Sequence, residues 1–381
     1  NGKDIPKILV NGKEFFSDDP NVAMKNLTVD MVDKIKAYDK KSDQARVTGI
    51  DDGEEEAVLD LTMKKGQNQG IFANITGGLG TKDRWMGQAN VNRFSDHNQF
   101  SIMSNLNNTN DMGFPGGGGG FRMGGNNGLT TRKMVGANFA METKKLEMGG
   151  NLRFNYTKNN IESLVSNYTY QTKYFGNSHS VRLSNAQSVN FDYRLEWKPN
   201  KLDNLILRPR ASWSKNNNSN ESLSTTSKVN PADDASLLDD IREFLSGTGI
   251  SVLQALPEQQ RLNLINAQRT QSLSESKNSN VSGELQYNHK FGDSGRNLTL
   301  RMTAGYTDGT SESYSNSDSW LFQFGDSATA VRRFTDTPTK NYNYSGRMTY
   351  SEPIARNTFL QFSYQFQYSY NKSDKRTYDL Y

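Results

Sequence analysis

The chain has no cysteine, which excludes disulfides and thiolate chemistry. It has three histidines among 381 residues, and they lie on different segments of the chain. Neither a G-x-S-x-G elbow nor an H-E-x-x-H pair occurs. No catalytic, cofactor-binding or metal-ligating residue is therefore expected, and the chain does not read as an enzyme. No apolar run approaches the roughly eighteen residues that a membrane-crossing helix needs. The 45 basic and 41 acidic residues nearly cancel to a net charge of +4, and no basic run stands out. Nucleic acid is not an expected partner.

What the chain does have is alternation. Val189, Phe191, Tyr193, Leu195 and Trp197 alternate with Asn190, Asp192, Arg194 and Glu196. Leu298, Leu300, Met302, Ala304 and Tyr306 alternate with Thr299, Arg301, Thr303 and Gly305, and Leu360 to Tyr370 repeats the pattern. Successive strand side chains point to opposite faces, so each segment has one apolar and one polar face. Segments of about ten residues suit a tilted membrane crossing, whereas soluble strands average about five or six. Tyr156, Trp197, Trp213, Tyr287, Tyr306 and Tyr350 stand near the ends of apolar faces, as girdle aromatics do. The fold class is all-β: a transmembrane antiparallel β-barrel preceded by a small α/β module. Apolar residues such as Phe191, Leu195, Leu300 and Phe362 are expected to face lipid, and Asp192, Arg194, Arg301 and Gln365 the lumen.

From Gly70 onward about eleven crossings are expected, over 70–79, 84–94, 99–107, 132–142, 146–157, 187–197, 204–214, 280–290, 297–308, 341–351 and 357–371. Alternate connections are brief, and the third, fifth, seventh and ninth are long. Barrels have short periplasmic turns and long outer loops, which orients the chain. Single-chain bacterial barrels have even strand numbers, so about eleven crossings cannot close on themselves and read as about half of a barrel. The expected division is residues 1–66 for the module and 67–381 for the barrel half, with a helical insertion at about 232–268.

In the module, Ile8-Leu9-Val10 reads as a strand entering a turn at Asn11-Gly12, and 57–63 as a second strand. Short helices are expected from Asp19-Pro20 and from Thr28-Val29-Asp30, and 34–38 looks extended. In the insertion, Leu237, Leu238, Ile241, Phe244 and Leu245 are spaced for one apolar helix face. Pro257-Glu258 is expected to open a second helix carrying Leu262, Leu264, Ile265 and Ala267. The glycine run Gly116–Gly120 reads as a loop, since no Lys-Ser/Thr follows it as in a phosphate loop.

The segments Val10-Asn11-Gly12-Lys13-Glu14-Phe15-Phe16, Tyr38-Asp39-Lys40-Lys41-Ser42-Asp43-Gln44-Ala45 and Thr48-Gly49-Ile50-Asp51-Asp52-Gly53 resemble the second half of the plug domain of TonB-dependent receptors. The version they resemble is that of Bacteroidota outer-membrane barrels (SusC-like). The strand Val58–Lys65 and the late run Tyr370–Tyr378 fit the same habit. The resemblance implies a 22-stranded barrel in the bacterial outer membrane, plugged and importing a large nutrient such as a glycan, peptide or chelated metal. It implies the lipid bilayer, TonB and a SusD-like surface lipoprotein as partners. The alternative is a non-transporting structural or assembly barrel that binds partner lipoproteins. Aromatic-rich loops offer ligand-contact candidates, Tyr168, Tyr170, Tyr174 and Phe175 in one and Trp320 and Phe322 in another. Charged candidates for plug–barrel contact are Asp51, Asp52 and Glu54 against Arg194, Arg208 and Arg301.

Overall fold

The computed structural model describes residues 7–14, 32–64, 69–95, 97–110, 128–292, 294–324, 327–355 and 358–380. The helix starts expected at Asp19-Pro20 and Thr28-Val29-Asp30, and the glycine run Gly116–Gly120, lie outside these residues.

The first part is a small four-stranded sheet. β1 (Lys7–Val10) turns through Asn11 and Gly12 into β2 (Lys13–Glu14). Both turn residues have positive φ, 51° and 78°, which the asparagine tolerates and the glycine adopts freely. β3 is Val32–Lys41 and β4 is Glu55–Met63, and the strand order is β2-β1-β4-β3. β1 runs parallel to β4, while β2 and β3 are antiparallel to their neighbours. Between β3 and β4 stands a helix that the sequence pattern did not announce, α1 (Asp43–Thr48). Ser42 caps it by accepting from the Ala45 N–H at 2.9 Å, and Gly49 ends it at φ 79°.

The second part is one antiparallel sheet, twelve-stranded in all, with consecutive strands paired in chain order. Its strands are β5 (Gly70–Gly80), β6 (Arg84–Phe94), β7 (Asn98–Asn107), β8 (Leu129–Glu142), β9 (Leu146–Thr169) and β10 (Tyr174–Trp197). They continue as β11 (Asp203–Ser227), β12 (Leu264–Lys290), β13 (Asn297–Leu321), β14 (Ser327–Ala355) and β15 (Thr358–Ser373), with a short β16 (Arg376–Asp379) beside β14. The eleven expected crossings are all present, but most are far longer than expected. β9 and β10 stay paired from Leu146↔Trp197 to Thr169↔Tyr174, so the expected fifth long loop shrinks to residues 170–173. The ninth shrinks likewise between β13 and β14. The ladder continues there in segments rich in Ser, Thr and Asn on both faces, so the backbone pairing persists while the hydrophobic alternation fades.

The register shows what the alternation does. One row of directly opposed residues crosses eleven strands as Ala73, Val91, Ile102, Ala137, Leu152, Phe191, Ala211, Val281, Tyr306, Tyr342 and Tyr370. The adjacent row, on the other face, is Phe72, Asn92, Ser101, Asn138, Asn151, Asp192, Arg210, Ser282, Gly305, Asn343 and Ser369. The first row is exposed at Ile102, Leu152, Phe191, Val281 and Tyr306, while Asn92, Ser101, Asn138 and Asn151 of the second are buried beneath the small sheet. An exposed apolar face of this extent belongs against hydrocarbon rather than water. Phe191→Lys is expected to lower unfolding stability in lipid vesicles by about 2–4 kcal/mol. Asn190→Lys, on the polar face, is expected to change it far less. A larger loss from Asn190→Lys than from Phe191→Lys in urea titrations would reverse the assignment of the faces, and equal losses would remove it.

The insertion between β11 and β12 contains a single 3-10 turn (Pro231–Asp233), α2 (Ala235–Leu245), α3 (Ser251–Gln254) and α4 (Glu258–Arg261). The expected second helix is thus one turn long and stops before Leu262. Leu264, Ile265 and Ala267 belong to β12, where Leu264 pairs with Ser227 and Ala267 with Thr225. The ladder to β11 wins over the i, i+3 spacing of these apolar residues.

Candidate functional site

Among the described residues, the small sheet contacts the polar face of the large one through an apolar attachment and a charged one, with Lys13 also 3.5 Å from Glu142. The first is apolar. Ile8, Val10, Leu61 and Met63 of the small sheet form one buried cluster with Phe94, Met103 and Met134 of β6, β7 and β8, with Phe72 packed beside it. These wall residues occupy inward positions where the sequence otherwise places polar groups. Gln99 adds a hydrogen bond from Nε2 to the Val10 carbonyl at 3.2 Å.

The second attachment is a chain of alternating charges. Arg194 lies 2.8 Å from Glu147 and 2.7 Å from Glu196. Glu196, whose side chain is fully buried, also takes Arg46 of α1 at 2.7 Å and the Asn204 amide at 2.7 Å. Arg46 and Arg194 reach Asp43 at 3.1 and 3.4 Å, and Arg208 also pairs with Asp43. Arg208 continues to Glu284 at 3.6 Å, and Glu284 holds Arg301 at 2.7 Å. Arg301 and Arg347 each stand 3.7 Å from Glu54. Asp43 is the centre of this chain. Burial alone would raise its carboxyl, but Arg194, Arg208 and Arg46 outweigh burial and hold it at about 2. Its position in the first turn of α1 adds the favourable end of the helix dipole.

Of the charged candidates, Arg194, Arg208, Arg301 and Glu54 meet in this chain. Asp51 and Asp52 do not. Asp51 pairs with Lys41 at 3.4 Å and accepts from the Gly53 N–H at 2.9 Å. Asp52 accepts from Ser42 Oγ at 2.6 Å, so both carboxylates shape their own loop. Asp43, Arg46, Glu196 and Glu284 were missed. Asp43 stands inside the plug-like run Tyr38–Ala45, with no feature of its own that marks it as a contact. The signal that could have found it is the Ser42 cap followed by an acid, with glycine six residues later.

The aromatic candidates separate into two groups. Tyr168, Tyr170, Tyr174 and Phe175 gather at the β9–β10 hairpin tip, with ring centroids 5.0 Å apart for Tyr168–Tyr170 and 4.7 Å for Tyr168–Phe175. Tyr170 is 86% exposed. Phe322, by contrast, is buried in the cluster under the helical insertion, and Trp320 packs against the same cluster edge-on to Phe244. Those two therefore pack within the chain itself, apart from the exposed tip. The histidines lie apart. His97 is in the β6–β7 turn, His179 bridges Glu162 and the Leu245 carbonyl, and His289 meets Asp203 at 2.7 Å.

No protein-family model matches the chain, and no curated protein does. Among solved structures it is similar to the siderophore receptor PiuA from Acinetobacter baumannii, at 8% identity and TM-score 0.33, over 98% of this chain and 54% of that one. It is similar also to BauA, the ferric preacinetobactin receptor of the same organism, at 9% identity and TM-score 0.31, over 98% and 53%. A third is the ferric yersiniabactin uptake receptor FyuA from Yersinia pestis, at 9% identity and TM-score 0.20, over 95% and 63%. The chain spans about half the length of the first two. Likenesses of this strength add no weight to the register and contacts described above.

Proposed function

We propose that the chain is the plug-and-wall part of a TonB-dependent-receptor-like transporter of the bacterial outer membrane, importing a large nutrient such as a glycan, peptide or chelated metal. The observation that carries this reading is the charge chain from Glu147 to Arg347. A charged joint of this kind can part when water enters and rehydrates the ions, without uncovering a large apolar surface. A polar module seated on a polar lining by such a joint suits a plug that a pulling partner, here TonB, displaces. The Tyr168–Phe175 tip would offer an arriving ligand its first aromatic contact. A SusD-like lipoprotein would have to dock elsewhere than on the α2 stripe, which the chain's own strands cover.

The apolar attachment favours a second reading. Ile8, Val10, Leu61 and Met63 bind the module to β6–β8 by buried surface, which suits a permanently seated plug in a non-transporting assembly barrel. One experiment separates the two. Gln44→Cys and Gln286→Cys, which line one cleft between module and wall, can be joined by a cleavable thiol cross-linker in the full-length protein, with the protein lacking the two substitutions as the control. Cells are then given labelled dextran, oligopeptide and an iron chelate. Transport predicts that at least one accumulates, that cross-linking stops it and that cleavage restores it. Accumulation of none, with or without the cross-link, supports the assembly reading.

A further inference from the structure

The outer face of the strand extensions carries a second apolar row, well clear of the lipid belt. Leu183, Leu273, Tyr314 and Phe334 each lie eight residues from a belt residue of their own strand, Phe191, Val281, Tyr306 and Tyr342, and so share its face. At about 3.4 Å per residue that is about 27 Å along the strands. The register sets them in one line. Leu183 opposes Ser219, Ser219 opposes Leu273, Leu273 opposes Tyr314, Tyr314 opposes Phe334 and Phe334 opposes Tyr378. Ring centroids are 4.6 Å apart for Tyr314–Phe334 and 6.1 Å for Phe334–Tyr378. Leu183, Leu273, Tyr314 and Tyr378 are exposed, Leu273 by 56%.

Neither apolar layer of the molecule accounts for this row. Lys215 and Lys277, and then Glu275, Glu312 and Asp336, separate it from the belt on the same face, and charges of that density do not stand in hydrocarbon. The helical insertion does not cover it either, since the floor of that cluster starts at Leu223, four residues beyond Ser219. What remains is a groove of about 440 Å³ lined by Leu183, Leu273, Tyr314, Glu275 and Glu312, with Lys158 at its β9 end.

The charged row beside it is incompletely paired. Glu275 opposes Glu312, and Glu312 opposes Asp336. Directly opposed like charges weaken a ladder. Lys215 and Lys277 hold Glu275 at 2.9 and 2.6 Å, and Arg376 opposes Asp336. Glu312 has an acid on either side, and among the described residues its side chain makes no ion pair or hydrogen bond. Lys277 attracts it from a distance but is already held by Glu275.

The surface therefore lacks a cation next to an apolar ridge. The backbone under the row is paired on both sides from β10 to β14, so no strand can add there and only side chains are on offer. A helix laid across the strands meets that condition. From β10 to β14 the row crosses four strand spacings of about 4.8 Å, or about 19 Å, the length of about 13 helical residues. We propose that the groove docks an amphipathic helix of a partner protein, with leucine-type side chains on the Leu183–Phe334 row and a lysine or arginine on Glu312. The partner approaches from the long-strand side, between the membrane surface and the chain's own helical insertion. The placement of the groove outside the bilayer rests on the membrane assignment made above.

The test uses the full-length protein in nanodiscs of zwitterionic lipid and two synthetic helical peptides of about 14 residues. Both carry the same leucine stripe, flanked by lysine in one and by glutamate in the other. The lysine peptide should bind wild type about tenfold more tightly than Glu312→Lys, and the glutamate peptide should show the reverse order. Leu273→Ser with Tyr314→Ser should weaken the lysine peptide as well. Binding of the lysine peptide that either change leaves as it was would overturn the proposal. In cells, a photoreactive side chain in place of Leu273 should join a different polypeptide through a segment bearing lysine or arginine, and Glu312→Lys should remove that product. A product within the same chain, with a second copy or with lipid, or no product, would each overturn it. The same photoreactive group in place of Phe191 is read separately and should label lipid. Labelling of protein there would withdraw the membrane assignment, on which the peptide measurement does not depend.

Discussion

Replacing Asp43 with alanine is expected to loosen the small sheet from the wall on its charged side, at a cost of about 3 kcal/mol. That is the lower end of the range for breaking one partner out of a buried ion pair. The lower end applies because the three guanidiniums left behind keep other acids. Arg46 keeps Glu196, Arg194 keeps Glu147 and Glu196, and Arg208 keeps Glu284. An environment-sensitive label at Gln44→Cys on α1 reports the release in a denaturant titration. Removing Arg208 together with Asp43, with leucine at both sites, should recover much of the loss, since an apolar pair of similar size avoids the desolvation of the ions. A double variant no more stable than Asp43→Ala would mean that the ion pair is itself net stabilising and that an apolar pair cannot replace it.

The same carboxylate sets an acid limit. Its folded value of about 2 lies below the ordinary 3.8. A depressed acid adds stability that is complete above the unfolded value and is lost as pH falls through the folded one. Between about pH 4 and 2 the attachment should therefore weaken by about 2 kcal/mol. The label at residue 44 should show this in wild type and a smaller response in Asp43→Ala, where Glu196 still holds Arg46 of α1. An identical acid response in both would assign it to another group.

The wall was legible because a bilayer imposes one rule on every strand. Lipid accepts only apolar side chains, so Phe191, Leu300 and Phe362 reveal the period and the crossing positions. Where β9 to β14 rise beyond that layer both faces are wet, and nothing forces alternation. The extensions then looked like loops although their pairing is unbroken. The module's seat was hidden for a related reason. Phe94, Met103 and Met134 break the polar inner face, and without a known partner such breaks look like lapses rather than a contact. The charge chain was half visible. Arginines on polar strand faces suggest plug partners, yet Asp43 meets Arg194 and Arg208 across 151 and 165 residues of sequence. Composition and spacing carry no information on a pairing that distant. In the insertion, Leu264 and Ala267 fit helix and strand spacing equally, and only the ladder to Ser227 and Thr225 decides between them.

The helical insertion carries the other large expected effect. Asp234 caps α2 by accepting from the Leu237 N–H at 3.2 Å, and Gln260 returns to Asp234 at 3.0 Å, closing the segment on itself. Leu237, Ile241, Phe244 and Leu245 are buried with Leu253, Leu256, Leu264 and Phe322. The floor of this cluster is the wall: Leu223, Ala267 and Trp320 lie on the same face as the apolar belt, at even offsets from Ala211, Val281 and Tyr306. The helices thus lie against the outside of the strand extensions, and His179 fastens their end through its 2.8 Å contact with the Leu245 carbonyl. Ile241→Asp with Phe244→Asp removes two buried apolar side chains, each worth about 2–5 kcal/mol, and buries charge in their place. The insertion should lose hydrogen-exchange protection across 234–262, while β11 and β12 keep theirs below it through their own ladder. Because the stripe is covered by the chain itself, the effect should be complete in the isolated protein. Retained protection in the isolated protein, with loss of a co-purifying lipoprotein instead, would show that the stripe serves a partner and that the packing described here is not its resting state.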